Sequence, residues 1–201
     1  PANCDQATVT VPVFVEPFPG FCFNDQPAET GVTQFFCSTE SIAFTMCEII
    51  SGQPPFSICW EVNGEPDCEL IVNLGDTLFI DFFDPGVYNV QITSITDDLG
   101  TSVTDLSAFN FEFEVVTGPE AFAGPDALVC ENLNHVLSTA TASNYSGLLW
   151  EGGDGSFVPS SDVLNPMYMP GPQDIQDGSV ELCLTALPQD PCTTEFTDCM
   201  T

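Results

Sequence analysis

The feature that most constrains this chain is a pair of cysteines set symmetrically about an Asn-Gly dipeptide, in Cys59-Trp60-Glu61-Val62-Asn63-Gly64-Glu65-Pro66-Asp67-Cys68. Asn-Gly is the strongest short-range signal for a two-residue type I′ hairpin, because both central residues must take positive φ. Counting outward sets Val62 opposite Glu65, Glu61 opposite Pro66, Trp60 opposite Asp67 and Cys59 opposite Cys68. With 62:65 closing the turn by hydrogen bonds, alternation makes 61:66 and 59:68 the closer, non-hydrogen-bonded kind. Pro66 then owes the ladder no donor, and a Cys59–Cys68 disulfide is expected across the hairpin.

The sequence holds ten cysteines, with no Cys-x-x-Cys pair and a single histidine. Metal binding would need closer ligand spacing, so the cysteines read as disulfides, which persist in oxidising compartments. Export is the expectation. Neither a signal peptide nor a membrane-spanning apolar run is visible, which fits a mature protein or a piece of a longer one.

Charge removes whole classes of function. The chain carries 30 Asp plus Glu and no Lys or Arg, for a formal charge of −30. Phosphate backbones and anionic headgroups are bound by clustered Lys and Arg, so nucleic acid and acidic membranes are excluded as direct partners. An arginine clamp for phosphoryl transfer, a P-loop lysine and a Schiff-base lysine are equally excluded, as are lysine isopeptide staples and tryptic cleavage. Disorder does not follow, because 43% of the residues are hydrophobic, 17 of them Phe, and the acids are dispersed between them.

Period-2 alternation recurs along the chain and long helical stripes do not. Val9, Val11, Val13 and Val15 share a face, as do Phe109, Phe111, Phe113 and Val115. Further strands are expected at 41–49, 56–62, 68–73, 77–83, 87–95, 147–151, 179–186 and 195–201. With Pro and Gly between them, this is the pattern of an all-β sandwich. An internal repeat at an offset of roughly 90 residues fits one sandwich per repeat. Cys37 corresponds to Cys130, Trp60-Glu61 to Trp150-Glu151, and Val87-Tyr88-Asn89-Val90 to Val180-Glu181-Leu182-Cys183. We expect two disulfide-stapled modules, 17–117 and 118–201, divided at Thr117-Gly118-Pro119 by a linker short enough to restrict a hinge. Residues 1–16 read as the terminal strand of a preceding module or a strand donated between subunits, and the final strand of the second module reads as cut short.

In that module Cys183 sits with Glu181 and Thr185 on a polar face, and Cys199 alternates with Phe196 and Met200, taken as inward. Both cysteines should point outward from adjacent strands and pair. That leaves Cys130 with Cys192 as a loop-to-loop staple. Cys4, Cys22, Cys37 and Cys47 remain, with three pairings open.

Residues 121–201 resemble the repeats of giant surface adhesins of Bacteroidetes, including gliding-motility adhesins. The resemblance is carried by Ala123-Gly124-Pro125-Asp126 with Cys130, Ala142-Ser143-Asn144-Tyr145 leading to Leu149-Trp150, Leu164-Asn165-Pro166-Met167-Tyr168, Asp177-Gly178-Ser179-Val180 and Asp190-Pro191-Cys192. Residues 50–116 are similar to the companion module through Ser51-Gly52-Gln53-Pro54-Pro55-Phe56, Val62-Asn63-Gly64 and Gly86-Val87-Tyr88 running to Ser94-Ile95-Thr96-Asp97. The resemblance implies an immunoglobulin-like or polycystic-kidney-disease-like sandwich, exported by the type IX route and used as a stalk or adhesin. Neighbouring copies of the same modules or subunits, and surface glycans, are the partners it implies.

Other candidate sites compete with plainer roles. His135, in Asn132-Leu133-Asn134-His135, has no nucleophile motif beside it and reads as a solvent-facing strand residue. Paired carboxylates can hydrolyse glycosides without any basic residue, but 30 acids place some together by chance, and no catalysis is expected. No cofactor is expected apart from calcium, for which Asp97, Asp98 and Asp105, Glu120 and Asp126, and Glu151 with Asp154 offer hard oxygen ligands. Trp60 and Trp150 could stack on sugars, yet their matched positions favour core packing; a calcium-dependent carbohydrate-binding module is the alternative reading. Asn144-Tyr145-Ser146 fits an N-glycan acceptor, and Asp76-Thr77-Leu78 resembles the O-glycosylation motif of the same bacterial group, at Thr77.

Overall fold

A computed structural model of the protein describes residues 16–130 and 133–201. Cys4 and the valine alternation at 9–15 lie outside the described residues. The first strands are β1 (Phe18–Phe23), β2 (Gln26–Pro27), β3 (Thr33–Cys37), β4 (Ile42–Ser51), β5 (Phe56–Val62), β6 (Glu65–Val72), β7 (Thr77–Asp81), β8 (Gly86–Thr96) and β9 (Asn110–Val116). They are followed by β10 (Glu120–Phe122), β11 (His135–Val136), β12 (Thr141–Ser143), β13 (Tyr145–Glu151), β14 (Ser156–Val158) and β15 (Met167–Met169). A short helix α1 (Pro172–Asp177) then precedes β16 (Leu182–Pro188) and β17 (Phe196–Met200). The sheets are ordered β2-β1-β4-β7, β3-β9-β8-β5-β6, β10-β12, β11-β15-β14 and β13-β16-β17.

The chain forms two compact units. One comprises Pro1–Gln34, Ile42–Asp81 and Tyr88–Glu112, the other Phe35–Ser41, Phe82–Val87 and Phe113–Thr201. The second unit therefore takes in two stretches from within residues 17–117.

In the first unit the hairpin has the register counted from its turn. Val62 faces Glu65, Glu61 faces Pro66, Trp60 faces Asp67 and Cys59 faces Cys68. Asn63 and Gly64 carry the two positive φ values, 49° and 87°, that a type I′ turn requires. The Asn63 side chain accepts the Asn89 N–H at 2.9 Å, which fastens the turn to β8. Alternation buries Phe56, Ile58 and Trp60 of β5 and Val90 and Ile92 of β8. Phenylalanines fill the interior: Phe44 stacks on Phe21 at 5.2 Å and on Phe79 at 5.3 Å, and meets Phe111 at 5.9 Å. Rings of β1, β4 and β7 thus pack on a ring of β9.

The second unit is built around Trp150, Tyr168, Leu148, Leu182, Leu184 and Met200. Its β13 and β16 pair antiparallel with Trp150 opposite Leu184, just as β5 and β8 pair with Trp60 opposite Ile92. The repeated Trp-Glu sequence therefore has the same strand partner in each copy. Trp150 Nε1 donates to the Leu164 carbonyl at 3.2 Å, satisfying the one polar group that burial of an indole strands.

Two expectations shift here. The strand expected at 179–186 starts at Leu182, because α1 and its left-handed Gly178 (φ 74°) occupy the residues before it. Phe196, taken as inward, is exposed, whereas Met200 on the same face is buried.

Candidate functional site

The disulfides are the most definite chemistry. Cys59 is joined to Cys68 and Cys183 to Cys199, and each bridge spans directly opposed residues of neighbouring strands. Their Cα separations of 4.1 and 4.0 Å match the closer, non-hydrogen-bonded type of pair.

The loop-to-loop staple differs from expectation. Cys192 is bonded to Cys37 across 155 residues of sequence, not to Cys130, which is a free, exposed thiol. Cys22 pairs with Cys47, a bridge that one of the three open pairings contains, but the Cys4–Cys37 bond that went with it is displaced because Cys37 is taken by Cys192. The elimination failed because it closed every bridge within its own repeat, while Phe35–Ser41 folds into the second unit. Around that bridge Cys37 is fully buried, and Thr193 Oγ1 donates to Glu40 at 2.8 Å. Gly118 packs here too: a Cβ at this position would lie 3.0 Å from Thr39 Cγ2 and 3.3 Å from Cys37 Sγ. The glycine read as a linker residue packs tightly against the disulfide.

A second arrangement is a carboxylate knot between the loop after β13 and the start of α1. Gly171-Pro172 opens the helix, with proline where no N–H is needed. The Asp154 carboxylate accepts the helix N–H groups of Gln173 at 3.0 Å and Asp174 at 3.1 Å. Asp174 reciprocates, accepting the Asp154 N–H at 3.1 Å, the Gly171 N–H at 2.9 Å and the Tyr168 hydroxyl at 2.6 Å. Tyr168 Oη in turn accepts the Gly155 N–H at 3.0 Å. Burial, then the hydrogen bond to Asp174, push the Tyr168 phenol up to about 12. Burial alone would raise Asp174, but the donors from Tyr168, Gly171 and Asp154 outweigh it and hold the carboxyl below its ordinary value. Glycines admit this contact: a Cβ on Gly153 would lie 1.9 Å from Tyr168 Oη, and one on Gly171 2.2 Å from Asp154 Oδ1. Both carboxylates therefore act as anchors for backbone amides. Asp174 and Tyr168 were missed in the sequence, although Gly152-Gly153-Asp154-Gly155 and the Gly171-Pro172-x-Asp174 helix start were visible signals.

The remaining candidate ligands are similarly engaged. Asp97 is buried and accepts N–H groups from Gln53 (3.2 Å), Leu99 (3.1 Å) and Thr101 (2.8 Å). A carboxylate satisfied by amides is a loop cap. Asp98 is exposed, and Asp105 caps Ser107, whose hydroxyl and N–H lower its pKa. Glu120 accepts from Ser143 Oγ at 3.0 Å, Asp126 from the Thr201 N–H at 2.8 Å, and Glu151 is exposed. Among the described residues, these seven acids form no three-ligand cluster. The one such group is Glu181 with Cys183 and Cys199, whose sulfurs are spent in a disulfide.

Trp60 and Trp150 are 3% and 1% exposed, so neither face is open to a sugar. His135 sits half-buried in β11 opposite Tyr168. Asn144, in a left-handed bend (φ 54°), and Thr77, at the start of β7, are both exposed, but the Ser146 hydroxyl of the Asn144 motif donates to the Pro188 carbonyl at 2.6 Å.

The second unit also holds a cavity of about 710 Å³, walled by Ala127, Leu128, Val129, Ile175 and Val180, with Cys130 on its lining. No helix among the described residues is long and apolar enough to cross a membrane. No protein-family model and no curated protein matches this chain.

Proposed function

We propose that this chain is a structural and adhesive repeat segment of a secreted bacterial surface adhesin or extracellular filament, made of immunoglobulin-like or polycystic-kidney-disease-like sandwich modules and working without catalysis. Four disulfides on a β-rich chain belong in an oxidising environment. The observation that carries the reading is the Cys37–Cys192 bridge. It closes a loop of 155 residues, so tension applied at the two ends bypasses most of the chain. Such a staple serves stiffness and protease resistance, and the acids clamp loops in place.

The function of a segment like this is reach, with contact to neighbouring copies or surface glycans made by its loops. A glycan array probed with and without calcium, together with antibody imaging of intact cells, tests the reading. Label spaced along a surface filament is the expected result. Calcium-dependent retention of one glycan class would support the carbohydrate-binding module instead, and turnover of a glycan substrate would overturn the non-catalytic assignment.

A further inference from the structure

Among the described residues four bridges use eight of the sequence's ten cysteines; Cys130 is the other described one, and Cys4 lies outside them. Cys130 is exposed and unpaired. The segment leading to it, Ala127-Leu128-Val129-Cys130, has no regular secondary structure, and it walls the apolar cavity of the second unit. Leu128 is fully exposed and Val129 half-exposed. Among the described residues, the backbone N–H groups of Leu128, Val129 and Cys130 have no hydrogen-bond partner. Open N–H groups beside exposed apolar side chains are a template for another strand.

The sequence holds a segment of matching chemistry. Residues 1–15 carry the valine alternation at 9, 11, 13 and 15 together with Cys4. They contain one acid, Asp5, while the other 29 of the 30 lie in the remaining 186 residues. A segment with one acid in fifteen residues approaches an acidic surface at a lower electrostatic cost than the average stretch of this chain. Pro12 lacks an N–H, which suits a strand added at an edge.

We propose that residues 1–15 of one copy dock along Ala127–Cys130 of the next, their valines entering the cavity, and that Cys4 and Cys130 then form an intermolecular disulfide. The root of the donated segment, at Glu16, is held on the first unit, where its carboxylate accepts the Thr104 hydroxyl at 2.7 Å. The groove belongs to the second unit, so each copy is both donor and acceptor, and a head-to-tail contact that does not close on itself gives a filament. Bond formation removes one proton and one electron from each thiol. A low-molecular-weight disulfide such as oxidised glutathione accepts them, its own S–S bond breaking to two thiols.

The inference rests on the filament reading, but its test is independent of any surface ligand. The full chain incubated with oxidised glutathione, at a salt concentration that screens its charge, should give a ladder on non-reducing electrophoresis that collapses on reduction. Cys4→Ser and Cys130→Ser should each stop at monomer, and an equal mixture of the two at dimer. Leu128→Asp, which keeps both thiols, should slow the ladder at least tenfold while its melting temperature shows that it folds. Peptide mapping should recover Cys4 linked to Cys130. A wild-type protein that stays monomeric, a Cys4–Cys130 link confined to monomers, or a ladder that survives Cys130→Ser overturns the proposal. Glycan binding found in the array would revise the function while leaving the ladder result standing.

Discussion

Cys37 and Cys192 are covalently joined although they stand 155 positions apart in the sequence, and both are buried in the second unit. The chain-entropy model assigns such a loop about 5 kcal/mol, against about 2.6 kcal/mol for one of nine residues. The long bridge is therefore the dominant staple.

Cys37→Ser with Cys192→Ser is expected to lower unfolding free energy by about 2–5 kcal/mol, and more than Cys59→Ser with Cys68→Ser, whose bridge spans nine residues. Denaturant titration of the two double variants checks the order. In force spectroscopy, reducing the wild-type protein should release about 3.5 Å per locked residue, roughly 500 Å in all.

The Tyr168–Asp174 bond is expected to produce one late step in the phenol titration. Of the three tyrosines, Tyr168 should ionise near 12 in the folded protein, and Tyr168→Phe should delete that step from the ultraviolet absorbance. Because the folded value lies above the ordinary 10.0, the bond contributes fully below pH 10 and is lost as pH rises toward 12.

Asp174 has the opposite sign. Its folded pKa lies below the ordinary 3.8, so its contribution is complete above that value and lost as pH falls below it. Asp174→Ala should cost on the order of 3 kcal/mol near neutrality, by stranding the Tyr168 hydroxyl and two amides. Its stability curve should also lose the corresponding acid limb, measured by urea unfolding at a series of pH values.

Gly153→Ala is expected to be as damaging, at roughly 3 kcal/mol or more. Its Cβ would meet Tyr168 Oη, and its backbone has φ 63°. Alanine at Gly64, where a Cβ meets nothing within 4 Å but φ is 87°, should cost only about 1 kcal/mol of backbone strain. Thermal melts of the two variants separate collision from conformation.

With a formal charge of −30 and no Lys or Arg, the fold is expected to gain stability with ionic strength, since salt screens repulsion among the carboxylates. Calcium should have the same sign of effect. A melting temperature that stays flat or falls as sodium chloride is raised would contradict this.

Local features were legible. The Asn63-Gly64 turn dictated the register of β5 against β6, and alternation placed Cys183 and Cys199 on one outward face of paired strands. Burial of Trp60 and Trp150 followed from their place in alternating strands. Asp97, read as a calcium ligand, instead accepts the amides of Gln53, Leu99 and Thr101, two of which arrive within its own turn and one from 44 residues away. From sequence, that carboxylate looks like a cation ligand.

What the sequence by itself determined was therefore everything within reach of one turn or one hairpin: strand periodicity and the Cys59–Cys68 and Cys183–Cys199 bridges. Only the tertiary structure decided that Cys192 meets Cys37, that Cys130 is left free, and that Asp154 and Asp174 clamp one another's amides. The physical reason is chain separation. Neighbouring residues are held together by backbone geometry that a count can reproduce, whereas Cys37 and Cys192 meet only because burial of the intervening chain brings them together.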